Sequence, residues 1–173
     1  MAKRQKIVPG SIIAIDLGDG TFSYARVLAR SSVAFYDMRT TGLTTHVDEI
    51  IHKPILFITV PYSYAIERGR WKIIGHEPLE PSLQVLPPQL TLTPGRERYS
   101  TVDFFIYEPN EGVAIRGPWK EEYASYEMQG VWEPEHLEQR IRDHYAGVEN
   151  VWIGLHKKYL ESWKAYLKEK GEL

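Results

Sequence analysis

Residues 9–37 read PGSIIAIDLGDGTFSYARVLARSSVAFYD, and this stretch decides the fold. Two runs rich in apolar residues, Ser11–Leu17 and Thr21–Leu28, flank the corner formed by Gly18, Asp19 and Gly20. Glycine adopts positive φ without steric cost, so such a corner between two strand-like runs is typical of a β-hairpin. A third run, Ser32–Asp37, follows closely. The stretch therefore predicts a three-stranded antiparallel meander.

Further strands are predicted downstream of the meander. Pro54 precedes the apolar run ILFITV, and a short strand fits Arg70–Ile74. The segment Pro78–Pro94 holds five prolines, which oppose regular helix and remove ladder donors, although its leucines are too apolar for a free tether. We expect it to run extended over the surface and to pack against the sheet. Asp103–Tyr107 and Val113–Arg116 predict a second hairpin.

The C-terminal third changes to helical periodicity. Pro134 is suited to a first helical position, and apolar residues recur at four-residue spacing before Gly147. A second amphipathic helix is predicted over residues 155–171, with one stripe of apolar and aromatic side chains: Tyr159, Leu160, Trp163, Tyr166 and Leu167. Strands followed by helices predict an α+β fold: a strongly twisted N-terminal antiparallel sheet or a small SH3-like barrel, with two C-terminal helices. We expect residues 1–173 to form a single domain.

Composition narrows the class of protein. The chain has 173 residues, a formal net charge of −2 and no cysteine. Without cysteine there are no disulfides, thiol nucleophiles or thiolate-bound zinc, and the net charge argues against a dedicated nucleic-acid binder. The basic N-terminus is not followed by a long apolar run, and no stretch is long enough to span a bilayer. We expect a cytoplasmic protein without membrane contact.

No residue pattern indicates catalysis. The six histidines form neither an HExxH motif nor a close pair, and the chain has no nucleophile elbow and no phosphate-binding loop. The glycines near Asp19 lie in a strand–turn–strand rather than at a helix N-terminus, so a hairpin is favoured over a phosphate site. The sequence predicts no catalytic residue, no metal and no cofactor. A hydrolase with a scattered site rests only on isolated carboxylates and histidines.

An acidic segment is the main charge asymmetry. Residues 108–138 hold eight glutamates against Arg116 and Lys120, a local balance of −6. If the segment folds onto one face, it attracts a cationic partner and speeds the encounter. The candidate contact residues are Glu121, Glu122, Glu127, Glu133, Glu135 and Glu138. An ordinary charged surface is the alternative.

Aromatic residues leave a different function open. Five tryptophans and eleven tyrosines, interleaved with arginines, suit a stacking platform for single-stranded nucleic acid on a small barrel. They suit a hydrophobic core or a protein-binding surface equally well, and core packing is the favoured interpretation.

Four ordered fragments resemble a known family. GSIIAIDLGDGTFSYARVL (residues 10–28), VAFYD (33–37), PILFITV (54–60) and GRWKIIGHEPLEP (69–81) are similar to the Immunity protein 26 family of bacterial polymorphic-toxin systems. Ala25 departs from the glycine expected there. With a later match around Glu121–Ile141, the resemblance covers about residues 9–147. Its motif residues, taken as mainly structural, are Gly18, Asp19, Gly20, Tyr24, Arg26, Tyr36, Asp37, Gly69, Arg70, Trp71, Gly75 and Pro78.

The resemblance implies a function that composition alone does not give. Members of this family are non-enzymatic inhibitors that bind a co-encoded toxin domain, often a nuclease, and block its active site or substrate path. The implied partner is a cognate toxin protein, with no direct nucleic-acid contact and an oligomeric state that stays open. The alternative is the nucleic-acid-binding module on a small barrel.

Overall fold

The computed structural model of the chain describes residues 4–94 and 102–171. Its contacts group into two compact units, each built from two segments. Unit 1 comprises residues 1–85 and 130–146, and unit 2 comprises residues 86–129 and 147–173. A single domain over the whole chain stays a prediction.

Among the described residues, ten strands and five helices form these units. The strands are β1 (Ser11–Asp16), β2 (Thr21–Val27), β3 (Val33–Thr41), β4 (Ile55–Pro61), β5 (Lys72–His76), β6 (Gln89–Pro94), β7 (Val102–Glu108), β8 (Val113–Ile115), β9 (Glu127–Met128) and β10 (Val131–Trp132). The helices are α1 (Val47–Ile51), α2 (Tyr64–Glu67), α3 (Pro81–Gln84), α4 (Pro134–Ala146) and α5 (Val151–Lys170), with a 3₁₀ turn at Glu121–Ser125. The predicted α+β class is confirmed.

Unit 1 is built on a six-stranded sheet with the order β10-β4-β3-β2-β1-β5. All neighbours pair antiparallel except β10 and β4, which are parallel. The predicted meander is its centre, and Gly18 and Gly20 adopt φ of 77° and 82° in the first turn. The order begins at β10 and ends at β5, so these two edge strands are not hydrogen-bonded to each other.

Both faces of the unit 1 sheet are covered by a helix. On one face Ile12, Tyr24 and Tyr36 pack with Ile50 of α1. On the other, Phe35 stacks on Phe57 with ring centroids 4.7 Å apart and meets Trp71 edge-on at 5.8 Å. Helix α4 lies over this second face, where the Arg140 guanidinium is 3.8 Å from the Phe57 centroid and Glu138 bonds the Trp71 indole. Because both faces are buried, the central strands are apolar on both sides.

Unit 2 is a four-stranded sheet with one long helix. The strand order is β8-β7-β6-β9, and β7 and β8 form the predicted second hairpin with Gly112 at φ 70°. Six buried side chains join the sheet to α5: Leu90, Phe104, Ile106, Leu160, Trp163 and Leu167. Among the described residues no helix is long and apolar enough to cross a membrane.

The proline-rich segment departs from its prediction. It forms α3 and then β6, an interior strand of the second sheet, instead of an extended segment lying on the first. Pro81 is tolerated because it is the first residue of α3, where no helical N–H bond is lost. Pro87 and Pro88 precede β6 and Pro94 ends it, so no proline interrupts the interior of the strand.

Helix α5 begins before its predicted start. It starts at Val151 instead of residue 155, because Asn150 caps it by accepting the backbone N–H of Trp152 at 3.1 Å. It ends as predicted at Gly171, whose φ is 72°. The short helix α1 was absent from the sequence prediction.

Candidate partner-binding surface

Arg26 holds two distant motif segments together inside unit 1. Its side chain is fully buried, and Nη1 donates to both carboxylate oxygens of Glu80 at 3.0 and 2.8 Å. Nη2 donates to the carbonyl oxygens of Glu77 at 3.0 Å and Pro78 at 2.5 Å. Burial lowers the pKa of the Arg26 guanidinium, but neighbouring Tyr36 and Glu80 outweigh it and hold that pKa above its ordinary value. Arg26 is therefore charged, and its hydrogen bonds connect β2 to residues 77–80, which follow β5.

Arg70 and Trp71 are likewise hydrogen-bonded to α4, which lies far from them in the sequence. Arg70 donates to Glu138 through Nε at 2.8 Å and Nη2 at 2.7 Å, and it also contacts the carboxylate of Glu135. The Trp71 indole N–H donates to Glu138 at 2.8 Å. The hydrogen bonds to Glu138 raise the pKa of Arg70 despite partial burial. The Glu138 side chain is only 8% exposed, so its carboxylate interacts with Arg70 and Trp71 inside unit 1 rather than with solvent.

Glu133 is also engaged within unit 1. The Tyr64 hydroxyl donates to its carboxylate at 2.7 Å. That bond, with some desolvation, raises the pKa of Tyr64 to about 12. Tyr62 stacks on Tyr64 with ring centroids 6.0 Å apart, and Arg68 lies 5.4 Å from the Tyr64 centroid.

The two acidic motif residues of the meander bond to neighbouring strands and to α4. Asp19 pairs with Arg39 at 2.8 Å, and Asp37 accepts the Tyr145 hydroxyl at 3.0 Å. Burial and the bond to Asp37 raise the pKa of Tyr145. The other motif residues are likewise placed by unit 1 itself: Tyr24 bonds Thr40, Tyr36 is buried, Gly69 has φ 80° and Gly75 lies against Val47.

Three of the predicted contact glutamates lie in unit 2. Glu121 and Glu122 belong to the 3₁₀ turn and are exposed, and Glu127 is half-buried on β9. Glu121 pairs with Lys164 of α5 and accepts the Trp119 indole N–H at 3.4 Å. The bond from Lys164 is the main reason that the pKa of Glu121 lies below its ordinary value. Glu122 is 3.8 Å from Lys120.

The six glutamates are therefore divided equally between the units. Glu133, Glu135 and Glu138 lie in unit 1, and the other three lie in unit 2. All three in unit 1 accept bonds from neighbouring side chains, and Glu138 has almost no exposed surface. The sequence pattern reveals the excess of charge but not the arginine that pairs with Glu135 and Glu138 or the tyrosine that donates a hydrogen bond to Glu133, because those lie more than 60 residues away.

Sequence reasoning missed an apolar surface on α5. Tyr159 was assigned to the same stripe as Leu160 and Trp163, but those two are buried whereas Tyr159 is 40% exposed. Val151 is 69% exposed and Leu155 is 39% exposed, and both lie on the side of the helix that carries Tyr159. Two features of the sequence indicate this surface: Asn150, which is suited to the N-cap of α5, and the four-residue spacing of the three side chains.

Comparison with known families decides what this chain is related to. A family model described as Immunity protein 26 matches residues 8–99, which is more than half of the chain. The chain belongs to the Immunity protein 26 family. The family match includes Arg26, Glu80, Arg70 and Trp71, but it ends before α4 and α5. No curated protein and no solved structure gives a significant match.

Two observations on this Immunity protein 26 member concern metal binding and pockets. Within residues 4–94 and 102–171, no group of three histidine or acidic side chains is placed to hold a metal ion. One pocket in unit 1 has a volume of about 30 Å³, which suits a single water molecule. Its lining of Ile7, Val27, Ser31, Val33, Pro61, Ser63 and Ile66 contains no titratable side chain.

Most tryptophans of this Immunity protein 26 member are in the interior. Trp71, Trp132 and Trp163 are buried and Trp119 is half-buried, whereas Trp152 at 37% exposure is at the surface. The favoured core interpretation is confirmed for the buried rings. A stacking platform needs several exposed rings in succession, and four of the five tryptophans are buried or half-buried.

Proposed function

We propose that this chain neutralises a toxin protein by binding it, catalyses no reaction, and acts in the cytoplasm on a toxin of the nuclease type. Membership of the Immunity protein 26 family is the observation that carries the proposal. The absence of a catalytic motif in the sequence is consistent with it. A nuclease binds polyanionic nucleic acid through a basic surface, which an acidic inhibitor complements.

Fewer glutamates are proposed as toxin contacts than the sequence indicated, and those of each unit are taken separately. Glu121, Glu122 and Glu135 are exposed, whereas Glu127 and Glu133 are half-buried. Glu138 is left out because its carboxylate is buried against Arg70 and Trp71. The exposed carboxylates would steer a cationic toxin and raise its association rate.

Co-expression tests the proposed function. The gene beside that of this chain is expressed alone and then together with this chain, and growth and complex formation are measured. We expect growth arrest by the neighbouring product, rescue by this chain and a stable complex of the two proteins. If well-folded protein neither rescues growth nor forms a complex, the proposal is wrong.

Charge reversal tests the acidic contacts. Glu121→Lys with Glu122→Lys should lower the association rate constant about 10-fold at low salt and flatten its dependence on ionic strength. Glu49→Lys with Glu77→Lys is the matched control, since it makes the same charge change on exposed glutamates outside the acidic segment. Equal rates and equal salt dependence for the two variants would remove the steering role.

A further inference from the structure

Strand β8 is an open edge of the sheet in unit 2. Among the described residues it pairs with β7 alone, so its outer N–H and C=O groups face away from the sheet. All three residues of β8 are exposed, with Val113 at 42% and Ile115 at 47%. Proteins commonly protect an edge strand with lysine or proline, but β8 consists only of valine, alanine and isoleucine. An edge of this kind is suited to pairing with another extended segment.

The apolar side chains of β8 continue the face of the sheet that forms the core of unit 2. Ile115 lies directly opposite Ile106 of β7, and cross-strand partners share a face. Ile106 is buried in one cluster with Leu160 and Trp163 of α5. Val113 is two residues before Ile115 and therefore lies on the same face. The apolar face thus extends beyond the part that α5 buries, and a strand added to β8 would extend it further.

The apolar residues of β8 are complementary to a second copy of the same strand. Two copies can pair antiparallel about a two-fold axis that passes between their Ala114 residues. In that register Val113 of one copy lies directly opposite Ile115 of the other, and the symmetry produces this contact twice. Both contacts lie on the apolar face of the sheet, so the pairing buries side chains that are exposed in a single copy.

The charges that flank β8 are complementary in the same register. Glu111 precedes the strand and Arg116 follows it, and both are exposed. The antiparallel arrangement brings Arg116 of each copy beside the turn that carries Glu111 of the other copy. These two neighbouring charges have opposite signs and sum to zero, so two β8 edges meet without like-charge repulsion.

We propose that the β8 edges of two copies of this chain pair antiparallel and join their four-stranded sheets into one continuous sheet. The paired strands are only three residues long, so the interface is small. We therefore expect a reversible dimer with a Kd of about 10–100 µM. This inference concerns unit 2 and does not depend on the proposed function.

Disulfide cross-linking tests the register. The chain has no cysteine, so Ala114→Cys introduces a single thiol. In the proposed pairing the Cα atoms at this position are about 4.5–5.5 Å apart, a distance that a disulfide spans. Mild oxidation should therefore produce a covalent dimer. Val131→Cys is the matched control, because Val131 is 56% exposed on the edge strand β10 of unit 1, and it should stay mainly monomeric.

Charge exchange tests whether the occupant is a second copy. Glu111→Arg brings two arginines together at each end of the pairing, and Arg116→Glu brings two glutamates together. Each variant alone should raise the Kd of the dimer at least about 10-fold. An equimolar mixture of the two variants restores an arginine–glutamate pair at both ends, so the mixture should form a heterodimer. Circular dichroism of each variant checks that it is folded.

Three results would overturn the inference. The first is a parent chain that sediments as a monomer at about 500 µM, well above the expected Kd. The second is an equal yield of covalent dimer from Ala114→Cys and Val131→Cys. The third is a pair of folded charge variants whose mixture associates no better than either variant alone. Concentration-dependent dimerisation of the parent chain, selective cross-linking at residue 114 and association of the mixed variants would together support it.

Discussion

At the scale of single residues, one buried cation joins the two most distinctive parts of the sequence. Arg26 lies on β2 and Glu80 follows β5, 54 residues later, yet the two side chains share two hydrogen bonds. Only the arginine is fully buried, since the Glu80 side chain is 45% exposed. Removing the Glu80 carboxylate therefore leaves the Arg26 charge without its counter-ion and without access to water.

Glu80→Ala should lower the free energy of unfolding by about 2 kcal/mol, between the values typical of exposed and buried ion pairs. The reason is that Arg26 stays buried and charged without its counter-ion. Urea unfolding measures the change. Glu77→Ala is the control, because Glu77 is exposed and contributes only its backbone carbonyl to Arg26. An equal and small effect of the two substitutions would contradict the role given to this pair.

The same pair makes stability depend on pH. Burial raises the pKa of Glu80, but its backbone bond and Arg26 outweigh that and hold the pKa below the ordinary value of 4.5. A carboxyl whose pKa is lower in the folded chain stabilises above its unfolded pKa, and this contribution is lost as pH falls through the folded pKa. The parent chain should lose more stability than Glu80→Gln between about pH 5 and about pH 3. Parallel losses in urea titrations of the two chains would refute this.

The sequence identified Arg26, Arg70, Trp71 and Pro78 as motif positions, but it did not give their partners. Each partner lies 50 or more residues away, and nothing in the local sequence indicates that Glu80 binds Arg26 or that Glu138 binds Arg70 and Trp71. Charge counting then grouped Glu138 with exposed glutamates, because composition records charge and not burial.

At the scale of elements, local patterns predicted most strands and both long helices. The meander, the second hairpin and the end of α5 carry local signals: glycines at positive φ, alternating runs and a C-terminal glycine cap. β6 and α1 lack such signals. The prolines on either side of β6 are typical of an irregular segment. Helix α1 has only five residues, too few to show the periodicity of an amphipathic helix.

The contact between α1 and β5 gives a prediction for these elements. A Cβ added at Gly75 would lie 2.5 Å from Val47 Cγ2, so Gly75→Ala requires the Val47 side chain, or α1 with it, to move. It should cost about 1–3 kcal/mol of stability, as overpacking does. Adding Val47→Ala removes the obstructing methyl groups, and the double variant should recover part of the loss. A double-mutant cycle in urea with no coupling between the two sites would show that the contact is unimportant.

At the scale of the whole molecule, the family match and the folded unit do not coincide. Residues 8–99 define the family, but unit 1 also needs β10 and α4 from residues 130–146. Glu138 of α4 supplies the acceptor for the Trp71 indole and for Arg70. The part of the sequence that matches the family is thus an incomplete structure.

A chain ending at residue 99 should lack a cooperative urea transition and should bind a hydrophobic dye, because the face carrying Phe35 and Phe57 has lost its helix. A chain ending at Gly147 keeps every element of unit 1 and is the matched control; its unit 1 should still unfold cooperatively. If the shorter chain also unfolds cooperatively, α4 is dispensable for unit 1.

The two segments of unit 1 are separated in the sequence by residues 86–129 of unit 2, so the ribosome synthesises them at different times. The first five strands leave the ribosome early, yet α4 follows only after residues 86–129 have been made. At about 5–20 residues per second this interval lasts about 2–9 s. During that time α4 does not yet cover the rings of Phe35, Phe57 and Trp71, which are accessible to chaperones and proteases. Unit 1 is therefore completed only seconds after the family-matched segment has been translated, once α4 has emerged.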